Sequence, residues 1–223
     1  MNTARFTPSF LKFFKELTKN NTTVWFNENR KTYEQDVKKP FSDFVETMIS
    51  RIQKYEPEVQ IKPSDAIMRI NKDIRFSKEK TPYNTHVAAN ISAHGKKDKS
   101  YPGFFFQLSH EGIKIYGGAY MVEKHTLENI RKHIAGNLKE FASAYNDKSF
   151  KKKFGTIQGE QTKRITPEIR SISEKEPLIV NKQFFYSASL KPDLITSAEL
   201  PEILMEYYLA GKKVNDFLKL AWN

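Results

Sequence analysis

Arg69, Asn71, Asp73 and Arg75 recur at every second position of the stretch Ile67–Tyr83, written IMRINKDIRFSKEKTPY. Ser77, Lys80 and Tyr83 follow directly. In an extended chain alternate side chains share a face about 7 Å apart, which puts Asp73 within reach of Arg69 or Asn71 and of Arg75. A carboxylate so placed can hold one guanidinium in a fixed fork while donors remain for a phosphate or a carboxylate. Ser77 adds a hydroxyl, and Lys80 a mobile point charge. Met68, Ile70, Ile74 and Phe76 alternate onto the opposite face, with Lys72 the one exception. The spacing predicts a strand over residues 67–76, apolar behind and polar in front, then a loop stiffened by Pro82. The competing reading is a solvent-facing strand laced by exposed ion pairs, worth about 0–1 kcal/mol each.

Other chemistry is less well marked. The five histidines, His86, His94, His110, His125 and His133, lack the i, i+4 spacing of a zinc helix, and no metal site is expected. No Gly-x-Ser-x-Gly elbow is present, and no cofactor is assigned. Lys80 or Tyr83 could exchange protons only with a perturbed pKa. Gly117-Gly118 would let backbone approach a ligand closely, although a strand-ending turn or bulge is the ordinary use of such a pair. Arg131, on the following helix, could reach the polar strand face or stand as a plain surface arginine.

The central stretch resembles the hallmark of a widespread bacterial and fungal group carried as a domain of unknown function. Arg69, Lys72, Asp73, Arg75, Phe76, Ser77, Glu79, Lys80, Pro82 and Tyr83 stand in register with it. Three further pieces are similar: Asn20-Asn21 with Trp25-Phe26, Gly117-Gly118, and Leu127, Ile130 and Arg131. Lys72 replaces the usual arginine, which keeps the charge and loses a bidentate fork. Val122-Glu123 stands where the group usually has a proline. The resemblance implies a shared fold and no established activity. It favours a ligand site made of Arg69, Asp73, Arg75, Ser77, Lys80, Tyr83 and Arg131.

Those residues need elements to hold them. Thr7-Pro8 opens a helix with a Phe10, Phe13, Phe14 and Leu17 stripe. A second helical region spans residues 23–55, which Pro40 must kink or divide. The period then changes from 3.6 to 2. Strands are predicted at residues 67–76, 86–93, 104–109, 112–119 and 183–190, with a hairpin turn at His110-Glu111-Gly112. The His94–Ser100 tract reads as a solvated loop. Helices return over residues 123–145 and 197–221, separated by a short basic turn at 149–154 and an irregular, proline-bearing connection. This pattern argues one α+β domain over residues 1–223. Its mainly antiparallel sheet lies mid-chain, packed by N-terminal, central and C-terminal helices.

Composition bounds the rest. The chain has 223 residues, 39% hydrophobic, with 17 Phe and 10 Tyr, enough for a real core. Cys is absent, so disulfides and thiol catalysis are excluded, and a cytoplasmic setting is expected. No signal peptide or membrane span is expected. A net charge of +11 suits anionic partners or a Lys-rich solvated surface. Lys148, Lys151, Lys152, Lys153, Lys163 and Arg164 interleave with Phe150 and Phe154, yet a Phe pair at i, i+4 is also what a docking face needs. Specific nucleic-acid binding is not expected. The leading reading is a small phosphate- or carboxylate-bearing ligand, with or without catalysis. The alternative is a non-catalytic nucleic-acid or protein-interaction module using the basic surface.

Overall fold

A computed structural model describes residues 6–75 and 78–222. Helix α1 (Pro8–Lys19) starts where Thr7 is extended and Pro8 needs no hydrogen-bond acceptor, and it buries Phe10, Phe13, Phe14 and Leu17. The region expected to be one kinked helix is divided into α2 (Thr23–Glu28), α3 (Arg30–Thr32), a π-helical segment Tyr33–Lys38, and α4 (Lys39–Ile52). Thr22 caps α2 by accepting a hydrogen bond from the Trp25 N–H. The wider turn ends at Pro40, where the Lys39 N–H reaches Glu34 O, five residues back. A short α5 (Pro63–Ala66) precedes the central stretch.

The sheet is an antiparallel meander in the order β1-β2-β3-β4. Its strands are β1 (Val87–Ile91), β2 (Gly103–Ser109), β3 (Gly112–Ala119) and β4 (Phe184–Leu190). The opposed direction of β3 and β4 is legible in two glycines, since Gly112 lies against Leu190 O and Gly118 against Phe184 O. Helices α6 (Lys124–Gly136), α7 (Leu138–Tyr145), α8 (Lys148–Phe154) and α9 (Pro167–Ser173) lie between these strands in sequence, and α10 (Leu200–Lys219) follows. The helix expected over residues 123–145 breaks at Asn137. Its side-chain amide donates to His133 O, satisfying a carbonyl at the end of α6. Thr166 caps α9 in a stretch that the sequence reads as irregular.

Packing divides the chain into two compact units, Met1–Lys96, Phe105–Ile115 and Ser189–Met205 in one, and Lys97–Phe104, Tyr116–Ala188 and Glu206–Asn223 in the other. The first has an aromatic core, in which Phe10 meets Phe6 and Phe14, and Phe44 meets Phe6 and Phe106 at 5.4 and 5.8 Å between ring centres. Burying one such side chain contributes about 1.5–3 kcal/mol. The tract read as a solvated loop is partly built into this unit. Gly95 is buried at positive φ, Asn90 donates to Gly95 O, and Lys96 Nζ donates to Ser64 O and Ile67 O.

In the second unit Phe141 contacts Phe184 and Phe217, while Phe150 and Phe154 both pack on Tyr186. The Tyr186 hydroxyl, with one proton to donate, lies within hydrogen-bond distance of both Gly211 O and Asn215 Oδ1. Asn215 also accepts from the Gly118 N–H and donates to Gly103 O. Gly118 sits at φ 85°, a conformation that favours glycine. Among the described residues no helix is long and apolar enough to cross a membrane.

Candidate functional site

Over the described residues 67–75 the strand predicted for residues 67–76 does not form, although its two-faced pattern does. Ile67 and Asn71 make single antiparallel bridges to Ala89 and Tyr83. Three backbone bonds carry the pairing: Met68 N–H to Ala88 O, Lys72 N–H to Pro82 O, and Asn84 N–H to Ile70 O. Arg69, Asn71, Asp73 and Arg75 are exposed, whereas Met68, Ile70, Lys72 and Ile74 are half-buried. Asp73 itself ends the extended run. Its Oδ1 accepts the Arg75 N–H at 3.3 Å, a local turn that competes with a strand ladder.

The same carboxylate receives the Arg75 side chain in a fork, Nε to Oδ1 at 2.9 Å and Nη2 to Oδ2 at 2.7 Å. The side-chain bond from Arg75 holds the Asp73 carboxyl below its usual range, helped by the Arg75 backbone N–H and, through space, by Arg69. The Asp73 carboxylate correspondingly raises the Arg75 guanidinium. With the two side chains 76% and 41% exposed, water screens the pair, and it contributes little to stability. Lys80 Nζ donates to Ile74 O across the turn. Ser77, with Phe76, lies outside the described residues.

A brace closes the base of this turn, and it was not foreseen from the sequence. Lys72, the exception on the apolar face, donates to Thr81 Oγ1 at 2.8 Å and Glu79 Oε2 at 3.3 Å. Thr81 in turn donates to Glu79 Oε1 at 2.7 Å. The Thr81 hydroxyl, then Lys72, holds the Glu79 carboxyl below its usual range. Only the misplaced charge of Lys72 in an apolar register signals this arrangement in the sequence.

Two of the predicted site residues are occupied with packing. Tyr83 is buried and stacks on Phe26 with ring centres 4.0 Å apart. The Asn21 amide clamps its backbone, donating to Tyr83 O at 2.9 Å and accepting the Tyr83 N–H at 3.1 Å. Tyr83 therefore anchors the turn to the aromatic core. Arg131 belongs to the second unit. Its Nε donates to Ile179 O, and its Nη2 lies within bonding distance of Thr162 Oγ1, Val180 O and Asn181 O. Burial lowers the Arg131 guanidinium pKa. Gly117-Gly118 serves the interior: a methyl at Gly117 would fall on the Tyr186 ring, and one at Gly118 on Phe184 O.

Among the described residues no three His, Asp or Glu side chains gather where they could hold a metal ion. His86, half-buried beside the turn, titrates below its ordinary range because burial disfavours the imidazolium and because Lys114 and Lys72 stand near. The folded state therefore binds this proton less readily than the unfolded chain. Stability is full above pH about 6.5 and declines as pH falls from there through the lowered folded value. Chemical denaturation at stepped pH should record that decline, and His86→Gln should flatten it. An equal decline in the variant would assign the effect to other groups.

These features define an α+β protein with a solvent-facing Arg-Asp-Arg turn rooted beside an antiparallel meander. The chain belongs to the conserved hypothetical protein family DUF2461, whose model matches residues 9–217. No curated protein and no solved structure matches it.

Proposed function

We propose that residues 69–75 together with Lys80 bind a small anionic ligand, with Arg75 as its directed donor and Arg69 and Lys80 as supporting charges. The observation that carries this reading is the Asp73–Arg75 fork on an exposed face. The fork holds the planar Nε and Nη2 edge of Arg75 at the surface in a bidentate arrangement with carboxylate oxygens, the geometry that a phosphate or carboxylate ligand would also use. The anchors beneath it, Asn21 on Tyr83 and Lys72 on Thr81 and Glu79, fix where that plane is presented. The role proposed for these residues is binding, in a cytoplasmic setting.

The alternative module built on Lys148–Lys153 is less well supported. Phe150 and Phe154 are buried against Tyr186 and so offer no platform for bases. Lys153 pairs with Glu206 and lies over the Tyr207 ring.

Titration calorimetry with inorganic phosphate tests the proposal. Arg75→Ala should abolish the binding heat with the melting temperature unchanged, since the side chain is exposed. Arg75→Lys should weaken binding roughly tenfold, because a point charge replaces a fork. Full binding by the Lys variant, or unfolding of the Ala variant, would remove the case for directed recognition.

A further inference from the structure

We infer that Asp73 is an internal competitor for the Arg75 fork, and that it restricts the site to phosphate dianions at the expense of carboxylates. This inference rests on the anion-binding reading above and narrows its ligand class. The Asp73 carboxylate fills the Nε and Nη2 edge of Arg75, one of the edges that a bidentate ligand can take, at 2.9 and 2.7 Å. A third bond, from the Arg75 N–H, ties the same carboxylate into the turn.

Binding at that edge is therefore an exchange. A ligand carboxylate would give Arg75 the two bonds it already has, from a partner of the same charge and shape. It would also compete against a group two residues away in the chain. Tethered groups act at effective concentrations on the order of millimolar or higher, so a free carboxylate below that range loses the exchange. A phosphate monoester dianion carries a second charge and a third acceptor oxygen. Arg69, exposed like Asp73 and Arg75, adds to the positive charge on this stretch that the dianion would meet. Because the Asp73–Arg75 pair is exposed and screened, the dianion displaces a weakly held partner.

Phenyl phosphate and benzoate, which share an aromatic ring and differ in the anion, are the probes for calorimetry. The wild-type chain should bind phenyl phosphate and show at least about tenfold weaker binding of benzoate. Asp73→Asn keeps the side-chain shape and removes the competing charge. It should tighten benzoate binding by up to about fivefold, the worth of an exposed ion pair, and shrink the phosphate preference. Wild-type protein that binds both probes equally, or an Asp73→Asn change that loses phenyl phosphate, would overturn the inference. The second result would make Asp73 an orienting partner that the site needs. Arg75→Ala separates the anion site from the competitor role of Asp73. If it leaves phenyl phosphate binding intact, the anion site itself fails. If it abolishes binding while Asp73→Asn leaves the probe ratio unchanged, only the competitor role fails.

Discussion

Gly117→Ala is expected to destabilise the protein by about 3 kcal/mol or more, although it adds a single methyl group. An ideal Cβ at Gly117 would stand under 3.0 Å from Oη, Cζ and Cε2 of Tyr186. The ring has little room to retreat. Gly211, where an added Cβ would also stand under 3.0 Å from the ring, packs against it, as do Phe150 and Phe154 with ring centres 5.0 and 4.5 Å away. The ring's hydroxyl lies within hydrogen-bond distance of Gly211 O and Asn215 Oδ1, so displacing the ring would also cost a buried polar contact. Tyr186→Phe should not rescue the variant, since Cζ and Cε2 still clash. Tyr186→Leu, which removes the ring, should recover part of the loss in the double variant. Urea denaturation of the two single variants and the double variant gives the coupling directly. Additive losses would mean that the two residues do not compete for one space.

Arg131→Met should cost about 3 kcal/mol, the second large effect. The substitution keeps an apolar stem but strips donors from Ile179 O, Val180 O, Asn181 O and Thr162 Oγ1. Ile179 and Asn181 are themselves buried, so water replaces the lost bonds poorly. Arg131→Lys should fall between, because one ammonium cannot reproduce the fork. Phosphate binding should survive both changes in the fraction that stays folded. If Arg131→Met instead melts like the parent and loses phosphate, Arg131 belongs to the anion site, as the resemblance implies.

The reach of the sequence differs from element to element, for physical reasons. Alternating faces and turn residues located β2, β3 and β4 to within a residue at each end, because period-2 burial and the His110-Glu111 turn are local properties. The same alternation at residues 67–75 was read correctly as two faces and wrongly as a strand. A strand also needs a partner of matching length, and here only residues 82–84 and 88–89 supply one. Helix α9 was missed although Thr166-Pro167 repeats the Thr7-Pro8 signal, since too few apolar residues follow it to set a stripe.

At the candidate site, charge and spacing announced the Asp73–Arg75 pair because both residues lie in one turn. The roles of Tyr83 and Arg131 depend on partners 62 and about 50 residues away, which no local pattern encodes. Their types, an aromatic and a guanidinium, suit a ligand site and a packing role equally well.

The π-helical segment before Pro40 has a bearing on chain length. Tyr33, Val37 and Phe41 are spaced by four, so eight residues separate the first from the last, where two α-helical turns hold only 7.2. A regular helix would carry Tyr33 progressively off the face that Val37 and Phe41 bury. The wider Tyr33–Lys38 turn absorbs the surplus, keeping Tyr33 against Phe13 and Phe26 while α4 stays in step with the core. In effect the helix stores an inserted amino acid without disturbing what lies on either side. Tyr33 and Tyr83 both pack on Phe26, so that one accommodated residue also fixes the bed on which the Arg-Asp-Arg turn rests.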